Sequence, residues 1–259
     1  MFASIATCGA CGHGRDALGG VMNHFVQRAI ACLFLAGLTA CAGAPEIPFD
    51  RSSNARIKNI AVIQPAMSPT PIILLASDIG QSFGLIGGLI DLSMQSNRDT
   101  KFAALLSAQG VKPDVVFLQD VHTTLSAHGY NVVDMPQARS GNDLLKVYPK
   151  GGQPGVDAYL DLAVFSYGYV AAGIGDSTPY RPFLTARCRL VRASDSAVLM
   201  EDTIAYNPVG PVQKAVTLSP DPNFSFKDFD TLTADPGVAV QGLNTALTAS
   251  ANSIGTLVQ

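Results

Sequence analysis

Three runs of alternating polarity crowd the second half of the chain: DAYLDLAVFSYGYV (157–170), FLTARCRLVR (183–192) and VLMEDTIAY (198–206). Alternation with a period of two marks strands that bury one face. ASDS (193–196) between the last two favours a turn. In the middle run Leu184, Ala186, Cys188 and Leu190 share one face, while Thr185, Arg187 and Arg189 share the other. The pattern predicts an antiparallel meander with one covered face.

Helices must supply the cover. KFAALLSAQG (101–110) and PDVVFLQDVHTTLSAHG (113–129) read as helical. In the second, Pro113 and Asp114 suit a first turn, Val115, Leu118, Val121 and Leu125 make an apolar stripe, and Gly129 suits the position after the C-cap. YNVVDM (130–135) follows as a strand, the helix-then-strand step of an α/β unit. Upstream, KNIAVIQP (58–65) is a short buried strand stopped by Pro65, and Pro69 and Pro71 mark a loop. Near the end, Asp235 and Pro236 open a helix as N-cap and first residue, and its Val240, Leu243, Leu247 and Ile254 should cover the sheet. The expected fold is a single α/β domain over 57–259, a small mixed, largely antiparallel sheet flanked by helices.

The N-terminal region follows other rules. Ala29–Leu38 is apolar but ten residues long, and a membrane-spanning helix needs about 20. Arg28 precedes it, and the small Thr39 and Ala40 follow, which is the order of a targeting leader and cleavage site. Leu38-Thr39-Ala40-Cys41 resembles the lipobox of bacterial lipoproteins. That resemblance implies a diacylglycerol on the Cys41 thiol, cleavage after Ala40 and acylation of the new amino group. Residues 1–40 are then a leader, and Met22 lies at the right distance to begin it, so residues 1–21 would precede the true start; a peptide from 1–21 in cell extracts would contradict that. Residues 41–56, with Pro45, Pro48, Ser52 and Ser53, read as a lipidated flexible tether.

Loss of Arg15, Arg28 and Asp16 with the leader turns 17 basic and 20 acidic residues into 15 and 19, a net charge of −4. Nothing in that balance draws nucleic acid, which wants a basic patch. Of the five cysteines only Cys188 would remain unmodified in the mature chain, so no internal disulfide is expected. Its place in the alternation makes it a small core residue. Cys8, Cys11 and His13 supply too few ligands for a structural zinc, and neither a metal nor any cofactor beyond the acyl chains is expected.

DIGQSFGLIGGLIDLSMQ (78–95) carries Gly80, Gly84 and Gly88 at a spacing that puts them on one helical face. Small residues spaced in this way let another backbone approach closely, and glycine costs about 0.8–1 kcal/mol in a helix interior, so a packing reason is expected. The partner is either the chain's own sheet or an oligomer or membrane contact. A helix over 79–92 would be about 21 Å long, too short to span alone.

Catalytic patterns are weak. Gly175-Asp176-Ser177 resembles the nucleophile block of GDS-type esterases, whose catalytic His lies downstream of the Ser, but histidine stands only at 13, 24, 122 and 128. A serine needs a base within hydrogen-bond reach. His122 and His128 are six apart, neither i+3 nor i+4, and read as surface residues. Asp157 and Asp161 flank a strand start, where carboxylates are ordinary. The reading is a binding domain, not an enzyme.

KNIAVIQP, LSAHGYNVVDM (125–135), GVDAYLDLAVFSYG (155–168) and ARCRLVRASDSAVLMED (186–202) together resemble the CsgG/TolB-amino-terminal-like group of bacterial envelope lipoproteins, which includes polysaccharide-export accessory proteins and lipoprotein activators of cell-wall synthases. The glycine-rich stretch 79–92 and the proline-rich segment 207–222 depart from that pattern. The resemblance implies a small sheet flanked by helices and a non-catalytic role in assembly or export, with other envelope proteins as partners. Ala42, where an Asp would retain the protein in the inner membrane, implies the outer membrane, facing the periplasm. The alternative is a subunit of an oligomeric secretion ring or pore, in which Gly80, Gly84 and Gly88 make the contact.

Overall fold

The computed structural model describes residues 46–77, 92–139, 141–149, 154–173, 178–210, 212 and 214–259, within a compact unit spanning Gly43–Gln259. In chain order come β1 (Asn59–Ile63), β2 (Ala66–Met67), β3 (Ile72–Ser77), α1 (Leu92–Ala108), α2 (Pro113–Ala127) and β4 (Asn131–Met135). Then follow β5 (Ala158–Gly173), β6 (Arg181–Arg192), β7 (Val198–Tyr206), β8 (Val216–Leu218), α3 (Phe229–Ala234) and α4 (Pro236–Leu257). The strands form one mixed sheet in the order β4-β1-β5-β6-β7-β8, with β2 and β3 also laid along β5. The expected meander is its centre, β5 antiparallel to β6 and β6 to β7.

β5 is long because it changes phase halfway. Val164 lies opposite Ala186 and Ser166 opposite Thr185, so Phe165 is an extra residue in a bulge. Before the bulge Leu160, Leu162 and Val164 enter the main core; after it Tyr167, Tyr169 and Ala171 do. One inserted residue keeps both halves facing the helices. Tyr169 anchors the far half: its ring meets Phe102 and Phe226 edge-on, at 5.4 and 5.6 Å, and its hydroxyl donates to the Ala239 carbonyl at 2.7 Å. α4 passes this close because residue 242 is glycine, where a Cβ would collide with the Tyr169 hydroxyl and lie 2.9 Å from Phe224.

α4 starts where its cap puts it. Asp235 accepts from the Val238 amide at 3.1 Å and Pro236 follows it. Leu243, Leu247 and Ile254 are buried as expected. α2 is rotated from its predicted stripe: Phe117, Val121 and Leu125 face inward, and Val115 is 49% exposed. Spacing of four from Phe117 places the larger ring in the core.

Two expectations change. The sheet is covered on both faces, because segment 136–149 crosses the face away from the helices. Tyr148 packs there with Ala61, Ile63, Met135, Tyr159 and Val191, and Leu144 with Ala66 and Ala163. That segment has no periodicity to betray it. Nor is the tether free to residue 56. Ile47 and Glu201 exchange backbone hydrogen bonds of 2.7 and 2.9 Å, Phe49 packs against the main core, and the Asn54 amide donates to the Asp50 carbonyl at 2.8 Å. β8 pairs only with Ile204–Tyr206, which leaves earlier backbone groups of β7 for Ile47 to satisfy. Ser52 and Ser53 then hydrogen-bond the Asp50 carboxylate and hold its pKa down to about 2.

Candidate functional site

Register lines up charges across the face beneath segment 136–149. Asp161 is opposite Arg189 in the β5–β6 pairing, and Arg189 is opposite Glu201 in the β6–β7 pairing. Arg189 binds Glu201 through Nε at 2.7 Å and Nη2 at 3.1 Å, and Arg187 adds Nη2 at 2.6 Å. Asp161, wholly buried, accepts from the Leu145 amide at 2.6 Å, the Tyr148 hydroxyl at 2.9 Å and the Arg139 guanidinium. Arg139 also reaches the carbonyls of Gln64 and Asp143, at 2.7 and 3.1 Å. The cluster fastens segment 139–148 to the sheet.

This chemistry is that of a clamp. Each buried carboxylate accepts from several donors, so neither is available as a general base. Burial and the Asp161 charge push the Tyr148 phenol up. For Glu201 burial acts upward, but hydrogen bonds from Arg189 and Arg187 outweigh it and hold the carboxyl below its ordinary range. A group whose pKa falls on folding contributes stability above its unfolded value, lost as pH drops through the folded one. Thermal melts taken downward from neutral pH should therefore lose stability through the carboxylate range, and Glu201→Gln should flatten that part of the profile.

A cleft of about 420 Å³ opens on the other side of β5. Pro65, Met67, Pro69 and Pro71 form one wall, Leu106 and Pro113 another, and Tyr167 is at its base. Burial, then the Asp114 charge, push the Tyr167 phenol up to about 12, so it stays protonated at neutral pH. The cleft offers apolar walls with a few polar groups, Ser107, Lys112 and Asp114 among them, a character suited to holding a partner's side chain or a small ligand.

Cys41, Gly80, Gly84 and Gly88, and Gly175-Asp176-Ser177, lie outside the described residues. The two histidines have separate partners: His122 Nε2 lies 2.7 Å from Asp134, and His128 meets Gln259. Both are partly covered, more than a surface reading gives them. Cys188 is buried in the core, and burial pushes its thiol up. A disulfide-exchange reagent should leave it unmodified in the folded protein and react fully once the chain is unfolded. Among the described residues no group of three or more His, Cys, Asp or Glu side chains is placed to hold a metal, and no helix is long and apolar enough to cross a membrane. Asp161 was legible only as a strand-start carboxylate; the signal for its role is a charge between Tyr159 and Ala163, on the face of β5 opposite Leu160 and Leu162.

No protein-family model matches the chain, and no curated protein matches it. Among solved structures it is similar to the DUF330 protein XCC0632 of Xanthomonas campestris, at 12% identity and a TM-score of 0.38, covering 83% of this chain and 89% of that one. It is similar also to the PelC dodecamer of Paraburkholderia phytofirmans, at 14% identity and a TM-score of 0.32, with 84% and 96% covered. Lipoprotein GNA1162 of Neisseria meningitidis shares 16% identity over 57% of this chain and 81% of its own, with a TM-score of 0.25. Likenesses at this level carry no functional argument.

Proposed function

We propose that the chain is a non-catalytic, lipid-anchored envelope protein of the outer membrane, facing the periplasm, whose α/β domain binds other envelope components in assembly or export. The observation that carries this reading is the sequence LTAC at 38–41, a lipobox pattern behind a ten-residue apolar run, with the domain beginning only six residues later at Ile47. A single acyl chain holds a protein to a membrane only marginally, and several hold it firmly. The commitment of Asp161 and Glu201 to a clamp supports a binding role, and the proline-walled cleft is the concave surface a partner would use. Membership of the CsgG/TolB-amino-terminal-like group belongs to the same proposal.

Cys41→Ala should move the protein from the membrane fraction to the soluble periplasmic fraction; a variant that stays with the outer membrane contradicts the anchor. The tandem Gly80, Gly84 and Gly88 favour a second reading, a ring or pore subunit. Light scattering on the detergent-extracted, acylated protein separates the two. A closed oligomer that Gly84→Leu breaks supports the ring, since a ring needs heterologous contacts that close, and a monomer supports the tethered domain.

A further inference from the structure

The proline-walled cleft is short of hydrogen-bond donors. Pro65, Pro69 and Pro71 carry no amide N–H, and the hydroxyl of Ser68 donates to the Thr70 carbonyl at 3.1 Å while accepting from the Thr70 amide at 3.3 Å. Across the opening Pro113 is the first residue of α2, which removes a further N–H. Such a lining accepts hydrogen bonds more readily than it gives them. It favours a ligand that brings its own donors.

Two acceptors stand inside it. Tyr167, 2% exposed, is at the base. The hydroxyls of Tyr130, Tyr148 and Tyr169 donate to Val258, Asp161 and Ala239, and that of Tyr206 accepts from the Asp221 amide. The Tyr167 hydroxyl has no hydrogen bond among the described residues. Asp114, partly buried, is the one carboxylate in the described lining and makes no ion pair among the described residues. Its charge adds to burial in raising the Tyr167 phenol, so the two groups share one field. Lys112, the opposite charge in the lining, is exposed.

An ammonium group is a donor only, with three N–H bonds, and the aliphatic stem of a lysine lies along apolar surface. Met67, Leu106 and the prolines supply that surface, around a volume of about 420 Å³ that falls in the range of ligand pockets. We propose, resting on the reading of this cleft as a partner's docking surface, that it takes a lysine side chain from an exposed segment of a partner protein. The stem lies between the prolines and Leu106, and the ammonium meets Asp114 and the Tyr167 oxygen. An acidic side chain would be repelled by Asp114, and a strand seeking backbone pairs would lack the missing amides.

The test uses the full-length acylated protein in phosphatidylcholine nanodiscs on a sensor surface, with empty nanodiscs as the reference. The probe is the peptide Gly-Ala-Lys-Ala-Gly, blocked at both ends, beside versions with norleucine or Glu in place of Lys, and butylamine as a free amine. The Lys peptide should bind about tenfold more tightly than the norleucine peptide, the gain from a charge-assisted hydrogen bond. Asp114→Asn should remove that gain. Tyr167→Phe should weaken the Lys peptide about fivefold, as the loss of a neutral acceptor does, and leave the melting temperature unchanged. Lys112→Gln should strengthen it about twofold by removing an exposed like charge.

Equal binding of the Lys and norleucine peptides, or preference for the Glu peptide, overturns the lysine site and leaves the cleft as a partner surface. Lys-peptide binding that survives both Asp114→Asn and Tyr167→Phe puts the contact elsewhere and overturns the site. A lower melting temperature in Tyr167→Phe shows a hydroxyl bonded within the fold and overturns its part. Butylamine bound as tightly as the Lys peptide assigns the cleft to a small amine and overturns the partner segment. Binding by none of the probes overturns the lysine site and the cleft as a docking surface together.

Discussion

Asp161→Ala is expected to destabilise the domain by about 3–5 kcal/mol, the usual cost of removing one member of a buried ion pair. The carboxylate is wholly buried, and its loss leaves the Arg139 guanidinium without its counter-ion and the Leu145 amide and the Tyr148 hydroxyl without their acceptor. Unsatisfied buried donors lose their water without gaining a partner. Against a total stability of about 5–15 kcal/mol for a domain, this is a large share. Urea denaturation should show a lower midpoint, and protease should cut near Lys146 in native buffer as segment 139–148 comes away. Asp195→Ala is the control: its ion pair with Arg192 is exposed and should contribute about 0–1 kcal/mol. Equal effects at the two positions would contradict the clamp.

Gly168→Ala should be comparably severe for a different reason. Gly168 has φ +139° and is paired on both sides, with Ile72 of β3 and Phe183 of β6. A Cβ would run into the Ile72 carbonyl oxygen and lie 2.8 Å from the Ile72 nitrogen. Both obstacles are backbone, so no side chain can swing away. The strained φ costs about 1–3 kcal/mol, and the overpacking a similar ~1–3 kcal/mol. Hydrogen exchange should report the loss first at the Ile72–Ser77 amides, because β3 is the element that must move. Gly155→Ala separates the two contributions: φ is +81° with open space around the position, so only the conformational cost applies. A Gly168→Ala protein with full β3 protection would show that the strand tolerates the methyl group.

The meander, α2, β4 and the capped start of α4 could be read directly from the sequence because each carries a periodic pattern with its own stop signal. Leu184, Ala186, Cys188 and Leu190 fall on the core side as the alternation says. The bulge at Phe165 was hidden by its own effect, since a phase change in the middle of an apolar run still looks like alternation on either side. Segment 136–149 was illegible for the opposite reason: PQARSGNDLLKVYP has no period, and its docking depends on charges from β5, β6 and β7 that only the sheet register brings together. Local pattern likewise marked residues 42–56 as polar, but the unpaired backbone of β7 decided that Ile47 should lie against it. For Cys41 the sequence alone carries the chemistry, and its strength lies in the order of basic residue, apolar run, small residues and cysteine.

The most direct measurement is the intact mass of the protein purified from its membrane fraction, with fragmentation of its N-terminal peptide. The account predicts a chain beginning at Cys41, heavier than residues 41–259 by a diacylglyceryl group on the thiol and an acyl group on the amine. A chain that keeps residues 22–40, or one that begins near residue 41 with an unmodified cysteine, would contradict it.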